Sequence, residues 1–376
     1  MIATPTQQSP TAVTRPKYLR SRKSFDHSPM LVFYELTRAC DLVCKHCRAC
    51  AQSWRAPGEL TTEQSKTLVD ELTEFPDPPM LILTGGDPLK RDDIFELIRY
   101  AVGVGLDVSI TPSATPLVNQ QSITRLRDAG ISRMAISVDG SDAATHDANR
   151  GVAGSFDHSM DILRIARELG VETQINTTLT PDNVHQIEAM GDRFASLDIA
   201  LWSVFFLIPV GRATEMARLN ADECESAFAR LLQQSKTQPF MVKTTEAPHY
   251  RRHVIQNTKK KTDGPSSRGF IPAGVNDGKG VMFVSHTGEI FPTGFLPIHC
   301  GKFPTDSVVQ TYQNSPTFQM LRDSDRLGGK CGVCEFRNVC GGSRARAFGV
   351  TGDAMAAEPD CNYIPESWNE KECVAS

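Results

Sequence analysis

The sequence predicts an α/β protein built on a parallel sheet, and three observations carry that reading. Six times between Met30 and Ser235 a short β-branched or apolar run is followed by a turn and then by a helical pattern. Alternation at this spacing implies parallel strands joined by right-handed crossovers. The 376 residues suffice for one large domain and a smaller one, with a proper hydrophobic core. From about Gly274 the chain turns Gly- and Cys-rich, with only short β runs. The periodicity admits either a doubly wound sheet or an incomplete barrel.

The expected strands are 31–36, 80–84, 106–111, 134–138, 172–179 and 201–208. Helical patterns fall between them at 61–74, 92–102, 122–129, 155–169 and 183–194, and a further helix is expected around 222–235. Residues 1–27 are rich in Thr, Pro, Ser and Gln, then in Arg and Lys up to Lys23. They lack the apolar stretch of a signal peptide and read as a flexible arm. Residues 28–240 form the expected core domain and 241–275 a linker and loop, whose three lysines from Lys259 read as solvated. Residues 276–376, with short β runs at 281–285 and 289–292, read as a small domain organised around metal.

Basic and acidic residues nearly balance, 40 against 44, so neither nucleic acid nor an anionic membrane is an expected partner. No apolar run reaches the ~18 residues of a membrane span. Eleven cysteines, clustered and without a secretory signal, argue for metal ligation in a reducing cytoplasm rather than for disulfides.

The sharpest feature is Cys40-Asp41-Leu42-Val43-Cys44-Lys45-His46-Cys47. Three thiolates from one loop suit three irons of a cubane cluster and leave the fourth iron without a protein ligand. An amine and a carboxylate of a small molecule chelate at such a corner. A zinc knuckle or a disulfide pair competes, although zinc ordinarily takes a second paired motif nearby. Lys45 and His46 shield the cluster or sit on the surface, and Cys50 is spare. One βα unit later comes Thr84-Gly85-Gly86-Asp87-Pro88-Leu89, whose glycines permit a backbone with carbonyls facing a ligand amine. Both loops follow strand ends, where ligands bind in either fold.

A second set, Cys331-x2-Cys334-x5-Cys340 with Cys361, makes a complete four-thiolate shell. Its spacing fits zinc or an iron–sulfur cluster, and the first cluster motif favours iron–sulfur. Ser343-Arg344-Ala345-Arg346 reads as a brace for that loop. His249, Tyr250, Arg251 and Arg252 collect an imidazole, a phenol and two guanidinium forks, and Arg forks bind carboxylates bidentately. They form either a substrate site or a solvated helix start after Pro248; adjacent helical residues point about 100° apart, so one Arg at most faces a pocket.

From Met30 to Tyr363 the chain resembles radical S-adenosylmethionine (SAM) enzymes with a C-terminal SPASM/twitch-type extension. It is most similar to the heme-biosynthesis branch, which includes the iron-coproporphyrin decarboxylase and its relative in making the denitrification heme. The phrases that carry the resemblance are Cys44-Lys45-His46-Cys47-Arg48-Ala49, Thr84-Gly85-Gly86-Asp87-Pro88, Ser137-Val138-Asp139-Gly140 and Gln174-Ile175-Asn176-Thr177-Thr178, then Pro209-Val210-Gly211-Arg212, Ala247-Pro248-His249-Tyr250 and 329–342. It implies a partial (β/α)6 barrel, open on one side. Cys40, Cys44 and Cys47 would hold the SAM cluster, Gly85, Gly86 and Asp87 would face the methionine amine, and Ser113, Ser137, Asp139, Asn176 and Val210 would line the SAM pocket. The fuller SPASM pattern has cysteines for two auxiliary clusters, whereas this chain has Thr293 and Ser343 at two of those places and an orphan Cys300. One auxiliary cluster, on Cys331, Cys334, Cys340 and Cys361, is then the limit, giving two 4Fe–4S clusters in all.

The resemblance implies reductive cleavage of SAM to a 5′-deoxyadenosyl radical, with an electron from a donor such as flavodoxin or ferredoxin. In the heme branch the substrate is a tetrapyrrole, whose propionate is decarboxylated or removed, and the auxiliary cluster is a natural electron acceptor. The alternatives are a maturase of a ribosomally made peptide, disfavoured because no segment before Met30 is long enough for a recognition domain, and a non-catalytic iron–sulfur electron carrier. A carrier has no use for the Gly85–Gly86 amine site.

Overall fold

The computed structural model describes residues 24–258 and 274–368. Along the chain come β1 (Leu31–Glu35), α1 (Thr62–Thr73), β2 (Met80–Thr84), α2 (Ile94–Gly103), β3 (Val108–Ile110), α3 (Gln120–Ala129), β4 (Arg133–Ser137), α4 (Ala143–Arg150) and α5 (Ser155–Glu168). Then follow β5 (Thr173–Leu179), α6 (Ile187–Ala195), β6 (Leu201–Phe206), α7 (Ala221–Thr237), β7 (Met241–Thr245) and α8 (His249–Asn257). After the gap come β8 (Val281–Val284), β9 (Glu289–Phe291), β10 (Gly301–Lys302), α9 (Val308–Asn314), α10 (Pro316–Arg322), α11 (Gly329–Gly332) and α12 (Arg344–Thr351).

All ten strands join one sheet in the order β10-β9-β8-β1-β2-β3-β4-β5-β6-β7. From β8 to β7 every neighbour is parallel, while β9 and β10 turn back antiparallel. The six expected strands appear within two residues of their expected bounds. Their outward residues, among them Tyr34, Leu83, Ile110, Ile136, Ile175, Trp202 and Val204, pack under the apolar faces of the helices as the main core. The opposite face is more polar: Thr84, Ser137, Asn176 and Thr178 alternate with those core residues along their strands. This is the α/β barrel-like arrangement that the strand–helix alternation implies.

Three expectations are corrected. Residues 241–257, expected as linker, supply β7 and α8, because β7 completes a ladder with β6 from Leu201↔Met241 to Phe205↔Thr245. The expected boundary at 276 does not divide the sheet, since β8 pairs in parallel with β1. The end of the expected arm is packed: Phe25 is buried with Val275 and Val281, and its carbonyl accepts from the Tyr312 hydroxyl at 2.7 Å. The rest of that arm, 1–23, and the lysine loop, 259–273, lie outside the described residues.

Candidate active site

The loops that follow the C-terminal ends of β1 to β6 meet at one cleft of about 1100 Å³, part of it open to solvent. Cys40, Cys44 and Cys47 all line it, with Gly85, Gly86, Ser113, Ser137, Asn176 and Val210. Phe205 and Phe295 add an apolar wall. The cysteine sulfurs are surrounded by donors. The Leu42 amide donates to Cys40 Sγ (3.4 Å), the Ala51 amide to Cys47 Sγ (3.3 Å) and Arg150 Nη1 to Cys44 Sγ (3.7 Å). At Cys40 burial raises the pKa and the Leu42 amide offsets part of it; the thiolate is the form that ligates metal.

The two glycines prove tight for a reason different from the expected one. A Cβ on Gly86 would stand 2.4 Å from the Ala39 carbonyl oxygen, and one on Gly85 2.4 Å from that of Thr37. Gly86 and Asp87 amides donate to those same two carbonyls, at 2.8 and 2.6 Å. Gly85 and Gly86 therefore let the β2 loop lie directly against the cysteine loop, and the Gly86 carbonyl accepts from the Ser113 hydroxyl (2.7 Å), which itself accepts from the Cys40 thiol (3.3 Å). Gly211 repeats the device: it has φ +61 and a Cβ there would meet the Cys47 and Arg48 carbonyls. Next to it Arg212 Nη1 donates to the Cys44 carbonyl at 3.0 Å.

Two expected ligand contacts turn inward instead. Asp87 is fully buried and does not line the cleft. Its carboxylate accepts from the Thr115 hydroxyl (2.7 Å) and the Leu89 amide (3.1 Å), capping a short turn, and burial raises its pKa. Asp139 is also fully buried and absent from the cleft lining. It pairs with Arg150 at 2.7 Å and with His46 at 3.5 Å and accepts from the Thr178 amide at 2.8 Å. Burial pushes its pKa up, but Arg150 and His46 outweigh that and hold it low. Asp139 thus positions Arg150, a residue that sequence reasoning missed, between itself and Cys44. Only its place in the fold, at the end of α4 beside the cleft, reveals it. On the far side Arg48 donates to Glu35 (2.8 Å), which also accepts from His286 (2.7 Å); despite burial, the Arg48 charge and these hydrogen bonds hold Glu35 down at about 2.

Cys331, Cys334, Cys340 and Cys361 line a second cavity of about 380 Å³. Amides donate to two of its sulfurs, Glu358 to Cys331 (3.3 Å) and Gly342 to Cys340 (3.4 Å). The expected brace is present: Arg346 reaches Glu358 (3.0 Å) and the Glu246 carbonyl (2.6 Å), and Arg344 reaches the Ala354 and Ala356 carbonyls. Thr293 donates to Asp277 (2.9 Å), and Ser343 donates to Glu246 (2.7 Å) and caps α12. Both are buried, so hydrogen-bonded polar side chains stand where further cysteines were missing. Cys50 is exposed, and Cys300 donates to the Ile298 carbonyl at 3.4 Å; neither lines a cavity described here.

The expected substrate cluster does not face the cleft. His249 is fully buried against Phe228, with ring centroids 4.7 Å apart. It lines the second cavity, without a well-formed hydrogen bond at either nitrogen, and burial lowers its pKa to about 4. Arg252 lines that cavity too and pairs with Glu225. Arg251 donates to the Val339 (3.0 Å) and Val275 (2.6 Å) carbonyls, and Tyr250 is buried on Phe228. The physical reason is that α8 packs into the protein beneath the second cysteine loop rather than projecting as a solvated helix.

A parallel α/β cleft lined by three cysteines beside two glycine turns has the donor types and the room for a small-molecule cofactor. The chain belongs to the radical SAM superfamily, whose family model matches residues 34–194; the cofactors of that family are S-adenosylmethionine and a 4Fe–4S cluster. The chain is 40% identical to an AdoMet-dependent heme synthase of Oleidesulfovibrio alaskensis over 90% of this chain and 89% of that protein. It is 37% identical to one of Methanosarcina barkeri over 90% and 98%. In structure it resembles Streptococcus suis SuiB bound to S-adenosylmethionine, with a TM-score of 0.69 at 16% identity over 89% of this chain and 77% of that one, a likeness of fold. No helix among the described residues is long and apolar enough to cross a membrane.

Proposed function

We propose that this radical SAM enzyme acts in heme biosynthesis, converting propionate side chains of an iron porphyrin to vinyl groups. The observation that carries the reading is the similarity to AdoMet-dependent heme synthases along nine-tenths of the chain. Cys40, Cys44 and Cys47 would hold the cluster, which would supply the electron for reductive cleavage of SAM. The protein's part is placement. Ser113, Ser137, Asn176 and Val210 line the SAM side, Gly85 and Gly86 hold the loops together, and Phe205 and Phe295 give an apolar face to a flat macrocycle. The net change on each side chain is loss of one hydrogen atom to the radical, loss of carbon dioxide, and departure of one electron to an acceptor.

In the same reading Cys331, Cys334, Cys340 and Cys361 would hold a second 4Fe–4S cluster, supported by their shared cavity and by amide donors aimed at two of the sulfurs. A cytoplasmic flavodoxin or ferredoxin is the proposed reductant. The test is anaerobic incubation of reconstituted protein with SAM, a reductant and iron-coproporphyrin III. Successive losses of carbon dioxide and two hydrogens by mass spectrometry are expected. SAM cleavage without porphyrin turnover, together with modification of a precursor peptide, would overturn the reading in favour of a peptide maturase.

A further inference from the structure

Arg48 lines the cleft directly after Cys47, and its side chain is 19% exposed. It reaches from the cysteine loop to the seam where β8 pairs with β1. There its guanidinium lies 4.7 Å from the ring centroid of Phe283 on β8. Gly294 leaves it room, since a Cβ at that position would stand 3.0 Å from Arg48 Nε. The next residue is Phe295, which lines the same cleft and meets Phe205 of β6 with ring centroids 6.2 Å apart. Arg48 therefore borders the apolar wall. Ser137, Asn176 and Ser113 line the cleft from β4, β5 and the loop after β3.

One carboxylate serves two guanidinium groups at this seam. Glu35, at the end of β1, is buried and meets Arg48 at 2.8 Å, Arg38 at 3.6 Å and His286 at 2.7 Å. A guanidinium carries five N–H groups. Arg48 directs one to Glu35 and another, at 3.5 Å, to the Gly294 carbonyl. Among the described residues no other hydrogen bond reaches it. A fork with donors to spare can take a second carboxylate while keeping its first partner, and the aromatic surface beside it strengthens the attraction by limiting water.

We propose that Arg48 binds a carboxylate of the substrate, holding one edge of the molecule while its flat face lies on Phe205 and Phe295. This rests on the tetrapyrrole reading above: a macrocycle with several side-chain carboxylates offers one to Arg48 and turns another to the SAM side. Fixing one edge decides which side chain the radical meets.

The experiment is an absorbance titration of the reconstituted protein with iron-coproporphyrin III. Glu35→Gln should bind it at least as tightly as wild type, because Arg48 then has no competing carboxylate. Adding Arg48→Met to that chain, where no buried carboxylate is left unpaired, should weaken binding at least about tenfold, as loss of one charged hydrogen bond does. Arg48→Lys in the wild-type chain should keep part of the affinity, being a point charge without the fork. The tetramethyl ester of the same porphyrin should bind all of these proteins within about twofold of one another. If Arg48→Met in the Glu35→Gln chain loses iron, or weakens the ester as much as the acid, Arg48 belongs to the fold and the inference is overturned. Equal affinity for the acid in Glu35→Gln with and without Arg48→Met would overturn it while leaving the tetrapyrrole reading standing. No binding of the porphyrin to wild type would overturn both.

Discussion

The two cysteine sites differ in how much of the shell the protein completes. At the first, three thiols stand on one wall of a cleft of about 1100 Å³ that continues into the polar inner face of the sheet. At the second, four thiols line a smaller cavity of about 380 Å³, also partly open to solvent, beside α8 and the 342–346 turn. An incomplete shell on a large cleft leaves room for a co-ligand and a substrate, whereas a complete shell in a small cavity leaves neither. Chemistry on a substrate belongs to the first. The second suits holding the C-terminal loops together or passing electrons.

The sharpest break between them is expected from cysteine replacement. Changing Cys40, Cys44 and Cys47 together to Ala should abolish SAM cleavage and remove half of about eight irons per chain. Changing Cys331, Cys334 and Cys340 should remove the other half, and zinc found there in wild type would contradict the second cluster. Arg150→Met comes next. It leaves the Asp139 carboxylate buried with only His46 and the Thr178 amide, and breaking such a pair costs about 3 kcal/mol or more; urea unfolding would register it, and Asp139→Asn in the same chain should restore part of the loss. Gly86→Val forces a Cβ against the Ala39 carbonyl 2.4 Å away. It should cost about 1–3 kcal/mol and lower the iron content of the first site along with SAM cleavage; a variant with full iron that merely binds SAM less well would show that the glycine serves the ligand instead. Smallest is His249→Leu. Replacing a buried imidazole that lacks well-formed hydrogen bonds by an apolar group should change stability by less than about 1 kcal/mol. Porphyrin affinity should stay within about twofold, since His249 lines the second cavity and not the cleft; a large drop would return α8 to the substrate.

The parallel strands were legible because their outward faces are strings of apolar residues that must be buried. β7 was not, because Met241-Val242-Lys243-Thr244-Thr245 is mostly polar, puts Thr244 beside Val242 on the core face, and shows no apolar run. The cysteine spacings told which thiols line a common cavity. The roles of Asp87, Asp139 and Arg150 were hidden. A motif names a carboxylate but not its direction, and both carboxylates turn into the protein to hold loops and a guanidinium. In α8 the grouping of His249, Arg251 and Arg252 resembled a binding site, but a cation satisfied by carbonyls or by Glu225 looks no different in sequence from one that awaits a ligand.

The pairing of β8 with β1 also has a consequence in time. Strand β1, with Leu31, Val32, Phe33 and Tyr34, is made well before β8, so one flank stays bare until residues 281–284 have emerged. At ordinary synthesis rates that wait is roughly 10–50 s. A flat apolar strand with an open edge is a template for pairing with other chains. The nascent protein therefore passes through a long interval of aggregation risk that the finished sheet conceals.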